Sequence, residues 1–229
     1  MSTSFRDFVT NRLVTGQFRD FQLFGKDEWP SDCPWPRPGD ETLAWTIRAN
    51  FVVCAQLLPK TVNMLSARCL ALFALRYGGR WYLLHLLSSQ DHNGQAALSL
   101  LAGGQPTLKP RLAQPEVDMG WLVPGELATF YSSFNGFGLF EMSPTIATWY
   151  TVEPDYKLRS LGRYLDSPTC SGVNLSDLLC FYPDGAGNCQ CFYRRTAQPL
   201  TTVDWDHEVN DISKFTPFWA FVDEQLSSL

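Results

Sequence analysis

The apolar runs Arg68–Tyr77 and Arg80–Ser88 are separated only by Gly78-Gly79. Two successive glycines supply the positive φ angles of a tight two-residue turn, so the stretch predicts an antiparallel hairpin with long arms. Upstream, every odd position from Leu43 to Leu57 is apolar (Leu43, Trp45, Ile47, Ala49, Phe51, Val53, Ala55, Leu57). That period of two predicts a half-buried strand, or two strands with a bend at Asn50. Downstream, Ala96–Ala102 reads either as a short helix closed by Gly103-Gly104 or as another strand. The first half is therefore expected to be mainly antiparallel sheet. One amphipathic helix leads it, with Phe5, Phe8, Val9, Arg12 and Leu13 at helical spacing before Gly16. Between Glu28 and Asp40, four prolines and two tryptophans predict a stiff, irregular connection lying against a surface, because Trp29 and Trp35 are unfavourable in water.

Prolines at 106, 110 and 115 break both helix and strand and place a join near 115. The join divides the chain into a strand-rich region, 1–115, and a second region, 116–229. Beyond it, Pro124 opens a helix carrying Leu127, Phe130, Tyr131 and Phe134 at i, i+3, i+4 and i+7, and Asn135-Gly136 ends it. Residues 137–151 read as extended, and Asp155–Leu165 as a second helix with Leu158, Leu161 and Leu165 on one side. Three strands follow, Leu178–Tyr182, Cys189–Arg195 and Thr201–Glu208, the first two joined by the turn-rich Pro183-Asp-Gly-Ala-Gly-Asn188. A final helix begins at Thr216-Pro217 and carries Phe218, Phe221, Val222 and Gln225. The expected class is α+β, an antiparallel sheet packed by helices, with an additional strand-rich N-terminal region.

Composition narrows the function. A chain that is 45% hydrophobic, with 16 Phe, eight Trp and eight Tyr, buries a core rather than staying disordered. No apolar run reaches membrane-span length, and Met1–Phe8 carries charge where a signal peptide needs apolar residues, so a cytoplasmic protein is expected. The seven cysteines lack zinc-ribbon spacing and are expected to be free and structural. Residues 1–118 hold 10 acids and 12 Lys or Arg, whereas 119–229 hold 13 acids and 6. No basic stripe offers itself to nucleic acid, and an acidic second half suits a basic protein partner.

Four pieces of the second half, in order, resemble the SUKH superfamily, the group of fungal Smi/Knr-type regulators and bacterial immunity proteins. They are Leu122-Val-Pro-Gly-Glu-Leu127 leading into the aromatic helix that stops at Phe134-Asn-Gly136; Leu179-Cys-Phe-Tyr-Pro-Asp-Gly-Ala-Gly-Asn188 followed by Cys191-Phe-Tyr193; Val203-Asp-Trp-Asp-His-Glu208; and Phe215 with the helix carrying Phe218, Phe221 and Leu226. The likeness covers about 119–229 and leaves the first half unexplained. It implies an α+β fold, no catalysis, no cofactor, and a role as antidote to a cognate toxin or as a regulatory scaffold.

The chemically richest stretch is Asp204-Trp-Asp-His-Glu208. As a strand it would project Asp204, Asp206 and Glu208 from one face, where three carboxylates repel unless a cation or basic partner meets them. A metal site, an acid/base group built on His207 and an acidic docking ridge compete. Against calcium, Val209 and Phe215 stand where a helix-loop-helix site needs Gly and Glu. The ridge takes Asp204, Asp206 and Glu208, with Asp184 in the hairpin loop and Trp219, off the Phe218–Phe221–Gln225 row, as an exposed aromatic anchor. No metal ligand set and no catalytic residue is assigned. His85, within an apolar run, reads as a hydrogen-bonded structural histidine and His92 as a turn residue. Cys189 and Cys191 share a strand face near Cys180, a thiol set read as buried rather than metal-binding.

Overall fold

The computed structural model describes residues 3–39, 42–91, 93–140, 149–163, 169–194 and 201–229. The chain opens with α1 (Thr3–Thr15) and β1 (Gln22–Phe24), then α2 (Leu43–Asn50), α3 (Pro59–Arg68), β2 (Cys69–Tyr77), β3 (Arg80–Gln90) and β4 (Ala96–Gly104). It continues through α4 (Gln114–Asp118), α5 (Gly125–Tyr131), β5 (Phe137–Leu139), β6 (Trp149–Val152), β7 (Arg159–Ser160), β8 (Thr169–Cys170) and β9 (Val173–Asn174). Last come β10 (Leu178–Pro183), β11 (Cys189–Tyr193), β12 (Thr201–Asp206), β13 (Asp211–Pro217) and α6 (Phe218–Ser227). The fold is α+β, with antiparallel sheets packed by helices.

The glycine pair does what its chemistry requires. Gly78 and Gly79 take φ of 58° and 73°, and Tyr77 pairs with Arg80 at the foot of the hairpin. Around β2 and β3 grows a six-stranded antiparallel sheet in the order β1-β2-β3-β4-β5-β6. Alternation along β3 sends Leu84 and Leu86 to one face, against Val9 and Leu13 of α1 and Phe18 beyond it, and Trp81, Leu83 and Leu87 to the other. That second face meets α2, α3, α5 and α6 in the main core.

Residues 43–57, expected as strand, are instead α2 and a run of turns. Two periods coexist in this sequence. Ile47, Phe51, Cys54 and Leu58 recur every three or four residues and are fully buried, whereas Trp45, Val53 and Leu57 of the odd series are exposed. The helical series is the one that finds a core. α3, with Pro59 at its first position and Val62 and Leu65 buried, has no counterpart in the sequence reading.

Ala96–Gly104 is strand, not helix. Gly103 and Gly104 end no helix; they sit where a side chain cannot, because a Cβ on Gly103 would fall 2.2 Å from the Phe134 ring and one on Gly104 2.3 Å from the Asn135 carbonyl oxygen. The Phe134-Asn135 segment that follows α5 therefore packs directly on β4, and β5 extends the first sheet. The expected join near 115 lies inside this sheet. Trp35 stacks on Phe134 at 5.8 Å, and the main core runs from Trp35 to Leu226, so the regions 1–115 and 116–229 share one interior.

The second sheet runs β13-β12-β11-β10-β7. Residues 155–163 do not form the expected helix: two 3-10 turns flank the short β7, and Leu165 lies outside the described residues. Pro154 ahead of the first turn and Gly162 in the second, where a Cβ would meet Ser176 at 2.3 Å, favour short turns held by tertiary contacts. β12 ends at Asp206, before the expected Glu208, and β13 had no sequence prediction. Of the expected extended stretch 137–151, residues 141–148 lie outside the described residues, as does Arg195. The two sheets are joined where Glu153 N, just after β6, donates to the Phe181 carbonyl of β10 at 2.7 Å.

Candidate functional site

Two turns meet at one end of the second sheet. In the β10–β11 loop, Asp184 Oδ1 accepts from the backbone N–H of Ala186 (2.8 Å) and Asn188 (3.0 Å), and Oδ2 accepts from Asn188 Nδ2 at 2.9 Å. In the β12–β13 turn, Asp206 Oδ1 accepts from Glu208 N (2.8 Å) and Val209 N (3.3 Å). Both carboxylates are drawn into their own turns, as short acidic side chains favour. Asn188 ties the turns together, its Oδ1 accepting from His207 N at 3.0 Å and lying 2.8 Å from His207 Nδ1. Gly187 at φ 114° permits the approach, since a Cβ there would stand 2.7 Å from the His207 ring.

Beside these turns a groove of about 470 Å³ opens between α6 and the sheet. Its walls are Tyr182, Cys189, Gln190 and Thr216 from the strands, Phe221 and Gln225 from α6, and the carboxylates of Asp184, Asp204 and Glu224. Among the described residues, none of those lining it is Lys or Arg. The floor is ordered: Gln190 Nε2 donates to Thr202 Oγ1 at 2.8 Å, and Tyr182 meets the Phe221 ring edge-on at 5.2 Å. A register shift between Cys180 and Tyr182 is a bulge that turns both Phe181 and Tyr182 toward α6.

The structure thus gathers four of the five expected site residues at one end and alters their roles. Asp204 lies in the groove. Asp206 shares the strand face of Asp204 at the end of β12, and Glu208 leaves it, standing exposed in the turn. Asp184 braces its loop. Trp219, expected to be exposed, is half-buried against Phe218, 4.9 Å away, and is absent from the groove. Phe221 takes the aromatic position there. It belongs to the same apolar row of α6, so the helical wheel that nominated Trp219 also contained its replacement.

Two chemical features near the groove went unassigned in the sequence. Glu153 is 9% exposed and its Oε2 lacks a hydrogen-bond partner, with Lys157 Nζ 4.0 Å away. Burial pushes its carboxyl up to about 7, only partly offset by Lys157 and Arg159; desolvation likewise lowers Lys157. An ion pair at that separation does not repay the dehydration of both partners. Second, Cys180, Cys189 and Cys191, read as one strand-face set, are brought within hydrogen-bond reach of one another.

His85 is structural: its fully buried ring stands edge-on to Phe137 (5.4 Å) and Phe134 (6.1 Å), with the Leu83 backbone beside it. Burial holds its pKa down at about 3, so it is neutral. His92 lies outside the described residues. Among the described residues, no three His, Cys, Asp or Glu side chains are arranged to hold a metal ion, and no helix is long and apolar enough to cross a membrane. Comparison with protein-family models, with characterised proteins and with solved structures finds no match.

Proposed function

We propose that the protein is a non-catalytic binding protein of the cytoplasm that captures a basic protein partner in the groove beside α6, acting as the antidote to a cognate toxin. The observation that carries the reading is the groove itself. It combines aromatic walls at Tyr182 and Phe221, an ordered polar floor and the carboxylates of Asp184, Asp204 and Glu224, the last already paired with Lys60, against no lining Lys or Arg among the described residues. Aromatics in a desolvated recess supply affinity, and carboxylates at its rim steer a cationic surface into encounter. The order of motifs resembling immunity proteins in the second half supports the same reading. Neutralisation would follow by occlusion: a toxin loop bearing Lys or Arg seats in the groove, and the surrounding turns cover the toxin's working surface.

The test is co-purification of the tagged protein from its native cell, or from a host co-expressing the adjacent reading frame, followed by mass spectrometry. One toxin-like protein at stoichiometric yield is the expected result. A housekeeping assembly in its place would make the protein a regulatory scaffold, and an unaccompanied protein would remove the partner-binding reading.

A further inference from the structure

Cys180 and Cys191 stand directly opposite each other in the β10–β11 ladder, and Cys189 follows two residues along the same face of β11. The pairing register shifts just after Cys180, with Cys189, two residues from its partner Cys191, as its diagonal neighbour. All three thiols are in mutual hydrogen-bond reach, and Cys191 Sγ also lies 3.7 Å from the Cys189 carbonyl oxygen. Their surroundings differ in one respect. All three belong to one apolar cluster with Leu178, Val203 and Trp205, but Cys189, 4% exposed, is the one of the three that also lines the groove.

We propose that this trio is a peroxide-sensitive dithiol site in which Cys189 is the reacting thiol and Cys180 the resolving one. Access selects Cys189, since a small oxidant in the groove reaches that sulfur first. The neighbours then divide the chemistry. The thiols of Cys180 and Cys191 hydrogen-bond to the Cys189 sulfur and the Arg159 guanidinium lies on the same side, opposite Cys180 in the β7–β10 pairing. Together they hold Cys189 well below the usual thiol range, at about 4, although burial and Asp184 oppose them. Cys180 and Cys191 are pushed the other way and keep their protons. A thiolate next to two thiols is the arrangement of a sensor cysteine with a resolving partner.

The reaction consumes one hydroperoxide and two thiols. The Cys189 thiolate attacks one peroxide oxygen, the O–O bond breaks, and the departing hydroxide or alkoxide takes a proton to leave as water or alcohol. Cys189 is now a sulfenic acid. Cys180 gives up its proton and attacks the Cys189 sulfur; the S–OH bond breaks and water leaves. Two electrons have passed from the thiol pair to the peroxide, and a cross-strand disulfide remains, open to reduction by a small dithiol. Because a disulfide draws its Cβ atoms to about 3.5–4.5 Å, closure pulls β11 across β10 and reshapes the groove wall.

The full-length protein, kept reduced, is exposed to hydrogen peroxide, blocked with iodoacetamide and mapped by peptide mass spectrometry. A Cys180–Cys189 disulfide that dithiothreitol reverses is expected. In Cys180→Ser, dimedone should trap the sulfenic acid on Cys189. Without any variant, iodoacetamide at pH 6 should alkylate Cys189 about tenfold faster than Cys33, a partly exposed thiol whose pKa is raised by burial. Unmodified Cys189 after peroxide treatment that oxidises Cys33, or a disulfide confined to Cys180 and Cys191, would overturn the proposal.

Discussion

Asp223 of α6 caps the first turn of α3: its Oδ1 accepts from Thr61 N at 2.8 Å and Thr61 Oγ1 at 2.9 Å, and its Oδ2 from Lys60 N at 3.1 Å. Helix N-termini usually take their cap from the residue just before them, but here that residue is Leu58, with no side-chain acceptor. An acid from late in the chain supplies it, and the adjacent Lys60–Glu224 ion pair reinforces the contact at the surface.

Replacing Asp223 by Ala should therefore cost about 2–3 kcal/mol, the loss of a charged, buried cap with three bonds. Asp223→Asn, which keeps one acceptor oxygen, should lose less. Urea unfolding midpoints check both, and an unchanged midpoint in the Ala variant would show the cap to be unimportant.

His85 and Glu153 should tilt stability in opposite directions with pH. His85 stays neutral in the fold at about 3 while the unfolded chain protonates near 6.5, so its contribution is present above 6.5 and is lost as pH falls toward 3. Glu153 keeps its proton in the fold up to about 7 while the unfolded chain releases it near 4.5, so its contribution is present below 4.5 and is lost as pH rises through 7. At about 1.36 kcal/mol per pH unit these amount to about 5 kcal/mol for His85 and about 3 kcal/mol for Glu153. Between 4.5 and 6.5 the slopes oppose. Glu153→Gln should uncover a stability that falls steeply with acid, and His85→Leu the reverse, in denaturant titrations across pH 4–8.

Gly103→Ala should destabilise by about 1–3 kcal/mol, because the new methyl meets the fully buried Phe134 ring and the segment after α5 has to move off β4. Gly94→Ala makes the control: nothing stands within 4 Å of its Cβ, so it carries only the cost of alanine at positive φ, which Gly103 does not have. A larger fall in thermal midpoint at 103 than at 94 is the expected outcome.

Charge reversal tests the groove without unfolding it if the turn-bracing acids are left alone. Asp204→Lys with Glu208→Lys should slow association with the captured partner by about tenfold at low salt and flatten the salt dependence. Stopped-flow rates at two ionic strengths decide it; an unchanged rate would mean that the partner docks elsewhere.

Turn chemistry was the most legible part of the sequence. Gly78-Gly79 and Gly136 turn at positive φ and α6 starts directly after Pro217, but α5 ends at Tyr131, ahead of the expected Asn135-Gly136 stop, and Thr216 lies in β13 without capping α6. Period was less decisive. Residues 43–57 satisfy two periods at once, and only a core contributed by Phe134, distant in sequence, selects the helical one. At the site, proximity of Asp184, Asp206 and Glu208 could be anticipated from the hairpin loop and the acidic stretch. Glu153 could not, since nothing local marks it and its altered acidity comes from burial under residues far away in sequence. The thiol set was visible as a strand face, but not the register shift just after Cys180.

The shared core also sets a timetable for biosynthesis. Phe218, Val222 and Leu226 pack among residues translated long before them, and the cap of α3 waits for Asp223. A nascent chain therefore carries its first sheet out of the ribosome with α2, α3 and α5 on that apolar face and the α6 share of it still open. A premature stop before Phe218 would leave that share, and the N-terminus of α3, exposed as an aggregation-prone surface.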